Sequence, residues 1–163
     1  MNNIVLIGMP GSGKSTVGVV LAKMKGFFFL DSDLLIQEKE GRLLSEIIEQ
    51  EGNDGFLSIE DRINAGISCE RTVIATGGSA VYGAHGMEHL KEIGTVVYLK
   101  LSYEELTLRL GNLKGRGVVL KEGQTLKELY EERVSLYEKY ADITVEEDGL
   151  GIEKTAREIM KLL

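Results

Sequence analysis

Gly8-Met9-Pro10-Gly11-Ser12-Gly13-Lys14-Ser15 spells a complete G-x-x-x-x-G-K-[ST] phosphate loop close to the start of the chain. Its surroundings agree with its spelling. The apolar run Ile4-Val5-Leu6-Ile7 in front of it predicts a buried strand. The segment Thr16 to Lys25 behind it predicts a helix, with Val17, Val20, Leu21 and Met24 at helical spacing. Glycines let the backbone bend until successive N–H groups point into one anion-sized hollow. The helix start then adds its unpaired donors and positive dipole end. Lys14 is placed to reach terminal phosphates, and the Ser15 hydroxyl to ligate Mg²⁺. A chance Gly/Ser turn would not need this strand–loop–helix setting, so the chain is expected to bind a nucleoside triphosphate.

The 163 residues suffice for one domain with a single substantial core. A 43% apolar and 28% charged composition is that of an ordinary globular protein, and one proline leaves no room for a proline-rich linker. The net charge of −7 argues against a general nucleic-acid binder, which needs a positive surface to displace counterions. The few cations of so acidic a chain must therefore be placed locally if it is to hold a triphosphate. No stretch has the length of a membrane span, and the first residues lack the basic segment of a signal peptide. Cys69 stands alone and is read as a small, half-buried residue. The expectation is a cytoplasmic monomer with no nucleic-acid or membrane partner.

Short β-type runs alternate with helical patterns along the rest of the chain. Strands are expected at 27–30, 72–75, 95–99 and 143–145, and helices near 33–40, 44–51, 56–68, 86–93, 103–110, 125–140 and 152–162. That alternation predicts a parallel sheet with helices on both faces, whose ligands sit beyond the carboxyl ends of the strands. The rule brings the phosphate loop, Asp31 to Asp33, and Thr76 to Ser79 to one edge.

Asp31 and Asp33 follow a strand two residues apart, and an extended backbone would aim both to one side. Phosphoryl transfer from Mg-ATP to an alcohol uses one carboxylate near the metal and another to orient and deprotonate the hydroxyl. The same pair can equally cap a helix starting at Asp33. The loop 111–124 carries Arg116 between Gly115 and Gly117, with Lys114 and Lys121 nearby. A cation at the tip of such a loop can close over a triphosphate and exclude water, and a plain solvated connection is the other reading. His85 and His89 stand four apart but lack the glutamate and third ligand of a zinc site, so no metal is assigned to them. The pairs Glu104-Glu105 and Glu146-Glu147 read as solvated surface. No N-K-x-D guanine signature occurs, since Asn112-Leu113-Lys114 does not match it.

With the phosphate loop, Leu30-Asp31-Ser32-Asp33, Glu60, Ala75-Thr76-Gly77-Gly78, Arg116, Glu132-Arg133, Leu136-Tyr137 and Ala141-Asp142 in order, the chain resembles the shikimate kinase family nearly end to end. The resemblance implies a three-layer P-loop kinase fold similar to the nucleoside monophosphate kinases. Its parts would be a five-stranded parallel sheet, a lid at about 111–124 and an acceptor-binding helical region at about 33–62. It implies transfer of the γ-phosphoryl group of ATP to shikimate, giving the 3-phosphate used in aromatic amino-acid biosynthesis, with Mg²⁺ as cofactor. Gly11, Ser12, Gly13, Lys14, Ser15 and Thr16 would hold ATP, and Lys14 and Arg116 would stabilise the transferred group. Ser15 would ligate Mg²⁺ with Asp31 in its outer shell. Asp33 would hold the acceptor hydroxyl and act as base, Gly77 and Gly78 would offer backbone N–H groups, and Arg133 would pair with the acceptor carboxylate. Arg109 would pack on adenine.

Three positions depart from the family. Leu57 replaces the arginine of F-R-x-x-E in Phe56-Leu57-Ser58-Ile59-Glu60, Ser79 replaces a third glycine, and Gly117 replaces the proline after the lid arginine. Loss of one partner of a desolvated carboxylate typically costs about 2–5 kcal/mol. Arg62, five residues along a helix, points away from Leu57. The phosphate half is thus expected intact and the acceptor half altered. The alternatives are a paralogous kinase for another small polyol, sugar or hydroxy acid, and, in a different class, an ATP-binding regulatory protein.

Overall fold

A computed structural model describes residues 2–111 and 123–163. The phosphate-loop strand β1 (Asn3–Ile7) is buried along its whole length, as a run without a polar face must be. It lies at the centre of a five-stranded sheet with β2 (Phe28–Asp31), β3 (Thr72–Ala75), β4 (Gly94–Lys100) and β5 (Ile143–Glu146). The order is β2-β3-β1-β4-β5 and every pairing is parallel. Register brings Leu6 opposite Ala75 and Asp31 opposite the same Ala75, so β1, β2 and β3 end together. The fold is the expected α/β doubly wound sheet.

Alternation along β1 sorts the core into two layers. Ile4 and Leu6 pack with Val17 and Leu21 of α1 (Lys14–Lys25) and with Ala156 and Ile159 of α7 (Ile152–Leu162). Val5 and Ile7 face the other way, against Met87 and Leu90 of α4 (Ala84–Ile93) and Leu129 and Tyr137 of α6 (Leu126–Tyr140). Leu106 of α5 (Tyr103–Gly111) joins this second layer. A smaller cluster of Ile36, Ile47, Phe56 and Ile63 binds α2 (Ser32–Glu40) to α3 (Leu44–Ala65). Among the described residues no helix is long and apolar enough to cross a membrane.

Two details differ from the sequence reading. The helices expected at 44–51 and 56–68 are halves of α3, broken at Gly52, where φ is 74°. Met24 is exposed, whereas Gly18 lies on the buried face of α1, where its missing side chain admits the Phe29 ring.

Candidate active site

The phosphate loop fills the turn between β1 and α1. Gly13 holds a left-handed conformation (φ 80°) as N-cap and brings no capping side chain, and the first turn of α1 carries no acidic residue. The first N–H groups of α1 therefore stay available to an anion. By contrast, α2 and α6 are capped by the side chains of Asp31 and Thr125. Lys14 is only 7% exposed and folds back onto its own loop, donating to the carbonyls of Gly8 at 2.7 Å and Met9 at 2.9 Å. Burial pushes its ammonium down to about 8, while the nearby Asp33 carboxylate acts the other way.

Asp31 caps α2 and also touches the phosphate loop. Its Oδ1 accepts the N–H groups of Asp33 and Leu34 and so caps α2, while its Oδ2 accepts the Ser15 hydroxyl at 2.8 Å. Asp33 itself lies in the first turn of α2 and not on the strand. The two carboxylates converge because the chain turns into a helix, not because of strand alternation. Burial raises the Asp33 carboxyl above its usual range, the Asp31 charge adds to this, and Lys14 opposes it. A hydroxyl and a carboxylate in contact are hard oxygen donors of the kind Mg²⁺ takes alongside phosphate oxygens. Among the described residues no cluster of three or more His, Cys, Asp or Glu side chains forms a metal cage.

Beyond β3, the loop of Gly77 and Gly78 runs between Asp33 and the phosphate loop. A Cβ on Gly77 would stand 2.6 Å from Asp33 Oδ1, and one on Gly78 would stand 2.6 Å from Pro10 Cδ. A side chain at Gly77 would push the Asp33 carboxylate aside, and one at Gly78 would meet the rigid Pro10 ring. Arg133 of α6 is 1% exposed, lies over the Tyr82 ring at 5.4 Å and approaches the Gly78 Cβ position to 3.1 Å with Nη1. Tyr137, one turn further on, donates to the Gly78 carbonyl at 2.6 Å. Glu60 of α3 is buried beside this loop and accepts the Ser79 hydroxyl at 2.7 Å. Lys14, Ser15, Asp31, Asp33, Gly77, Gly78 and Arg133 thus gather at one edge of the sheet. Leu57 packs with the apolar cluster of α2 and α3, and Arg62 is exposed and paired with Glu40 at 3.3 Å. Arg116, Lys114, Lys121 and most of the expected lid fall outside the described residues.

On the opposite flank, Arg109 donates through Nη1 to the Gly11 carbonyl at 3.0 Å and to Glu147 Oε1 at 3.3 Å. Glu147 corrects an expectation. It is 2% exposed, not solvated, because the two-residue period of β5 carries it inward after Ile143 and Val145. Burial pushes its carboxyl up to about 7 against the pull of Arg109. That same alternation was the signal that could have found it. Tyr137 was marked only by the family resemblance and not by any role, since its partner is a backbone carbonyl 59 positions away. His85 turns to Asp61 and His89 to the Ile67 carbonyl, so they share no site.

A family model described as shikimate kinase matches residues 10–163. The chain is similar to a shikimate kinase of Thermodesulfovibrio yellowstonii, 38% identical over 99% of this chain and 94% of the relative. Among solved structures it is similar to a shikimate kinase from Acinetobacter baumannii in complex with shikimate. That match has a TM-score of 0.90 and 37% identity, covering 99% of this chain and 92% of the other. A shikimate kinase from Aquifex aeolicus matches with TM-score 0.83 and 32% identity, over 98% and 94% of the two chains.

Proposed function

The chain belongs to the shikimate kinase family, whose members are kinases acting on an alcohol, and from that premise we propose that it transfers the γ-phosphoryl group of ATP to a hydroxyl of shikimate. The observation that carries the reading is the convergence of Lys14, the Ser15–Asp31 pair, Asp33 and Arg133 around the Gly77-Gly78 loop. In this proposal the first N–H groups of α1 cradle the phosphates with Gly11, Ser12, Gly13 and Thr16. Lys14 leaves the carbonyls of Gly8 and Met9 for the transferred group, a small swing that its partial desolvation favours. Asp33 holds the attacking hydroxyl. Its raised proton affinity suits a base that receives the hydroxyl proton as the phosphorus–oxygen bond forms.

Ser15 and Asp31 would hold Mg²⁺. That ion supplies charge neutralisation at the phosphates when bound. Arg133 would grip the acceptor carboxylate, Arg109 would face the nucleotide base, and Arg116 would close from the lid at 111–124. We take residues 1–163 as one kinase domain, acting as a cytoplasmic monomer whose product enters aromatic amino-acid biosynthesis. The free Cys69 is in keeping with a reducing compartment.

The apolar packing of Leu57 favours one second reading, a related kinase whose acceptor is another small polyol. A coupled ADP-release assay over shikimate, quinate, gluconate and inositols, with a no-acceptor control, separates the two. Shikimate-dependent release above all others supports the first reading. Release only with a different acceptor replaces it.

A further inference from the structure

One group at the acceptor side takes no part in this transfer. Glu60 is 1% exposed, its Oε1 is held by Ser79, and its Oε2 is buried without a hydrogen-bond partner among the described residues. Oε2 lies 3.0 Å from the Cβ position of Gly77, and Asp33 Oδ1 lies 2.6 Å from the same point. Two carboxyl oxygens therefore crowd the same open side of one glycine of the acceptor loop. The groups acting on Glu60 are Asp33 from α2, Lys14 from α1, and Arg133 and Tyr137 from α6. The histidines of α4 turn elsewhere, to Asp61 and the Ile67 carbonyl. Leu57, one turn earlier on α3, brings an apolar side chain where an arginine would bring a cation to this face.

An ionised carboxylate so buried, with one hydroxyl donor, is poorly compensated. Burial pushes the Glu60 carboxyl up to about 7, and the Asp33 charge adds to this, while Ser79, Arg133 and Lys14 pull it down. An acceptor carboxylate paired with Arg133 would enter the field of Glu60, because Arg133 Nη1 stands 3.1 Å from the Cβ position of Gly78 and Glu60 Oε2 3.0 Å from that of the adjacent Gly77. A second negative charge there favours uptake of a proton from solvent by Glu60, since it adds to the Asp33 charge already opposing ionisation. Protonated, Oε2 becomes a donor and its missing bond can be made to the incoming molecule.

Resting on the acceptor-site reading above, we propose that Glu60, gripped by Ser79 and sharing the open side of Gly77 with Asp33, reads the charge of the acceptor: a carboxylated acceptor binds with a proton on Glu60, whereas a neutral polyol does not require one. Glu60 is thus a specificity-determining residue, whose ionisation disfavours a carboxylated acceptor relative to a neutral one as pH rises.

The test compares shikimate with its neutral carboxamide between pH 6 and 9, in the wild type, Glu60→Gln and Leu57→Arg. The wild-type KM for shikimate should rise above pH 7, approaching about tenfold per pH unit as the competent fraction falls. KM for the carboxamide should stay flat, and kcat should follow one profile for both. Glu60→Gln and Leu57→Arg should each flatten the shikimate profile. Should Glu60→Gln fail to fold, calorimetry of the wild type in two buffers gives the same answer through proton uptake on binding shikimate but not the carboxamide. A flat wild-type profile, equal slopes for both acceptors, refusal of the carboxamide at every pH, or an unchanged slope in a folded Glu60→Gln overturns the proposal while leaving the kinase reading standing. If neither acceptor binds at any pH, the functional reading falls and takes this one with it.

Discussion

Lys14 and Asp33 illustrate how burial sets chemistry at single residues. Each is desolvated, and each is shifted toward its neutral form while its neighbour resists the shift. Asp33→Asn keeps the shape and removes the proton acceptor. Acceptor phosphorylation should fall by roughly 10²–10⁴-fold with ATP binding retained, as turnover and nucleotide titration together would show. Unchanged turnover would remove Asp33 from its role. Leu57→Arg should lower KM for shikimate by about tenfold or more, since a second cation at a desolvated carboxylate is worth several kcal/mol. No gain would mean that the pocket differs at more than this position. The phosphate-loop residues were readable from their spelling because their role depends on local backbone. The inward turn of Glu147 was readable only by carrying the alternation of Ile143 and Val145 one step past the strand, because three consecutive acids, Glu146-Glu147-Asp148, look solvated on composition.

Among elements, α6 and the loop after β3 form the acceptor wall together. The Tyr137 hydroxyl ties α6 to the Gly78 carbonyl, and Gly78 in turn abuts the Pro10 ring of the phosphate loop. Gly78→Ala would push a methyl group into a rigid ring. It should destabilise the fold by about 1–3 kcal/mol and reduce kcat/KM more than nucleotide affinity, measured by denaturation and steady-state kinetics. Retained stability and activity would show that the two loops separate freely. Element positions were legible from periodicity alone, including the break that divides α3, which falls at Gly52 between the two expected helices. Helical spacing also marks the buried face Phe56, Glu60 and Ile63, but a carboxylate on that face signals a site only once Ser79 and Asp33 are seen beside it.

Across the whole molecule, the order β2-β3-β1-β4-β5 brings three loops of different sequence position to one rim. The rule for parallel sheets foretold that gathering, but not which side chains would meet. The same burial leaves a signature in stability. Glu60 and Glu147 titrate near 7 when folded and near the ordinary 4.5 when unfolded, so the folded state binds more protons between those values. Their contribution is fully present below about 4.5 and is lost as pH rises through 7, on the order of 3 kcal/mol each. Lys14 acts oppositely at higher pH, between about 8 and 10.5. Urea denaturation should therefore show stability falling from pH 5 to 7.5, with the fall reduced in Glu147→Gln. An equal fall in that variant would contradict the assignment. The most direct measurement follows the phosphoryl group itself, with ATP labelled by ¹⁸O on the γ-phosphorus, shikimate and Mg²⁺, read by mass spectrometry. The label should appear in a phosphorylated acceptor with the wild type and be lost with Asp33→Asn. Label found only in inorganic phosphate, with shikimate unaltered, would contradict a kinase in which these loops bring ATP and alcohol together.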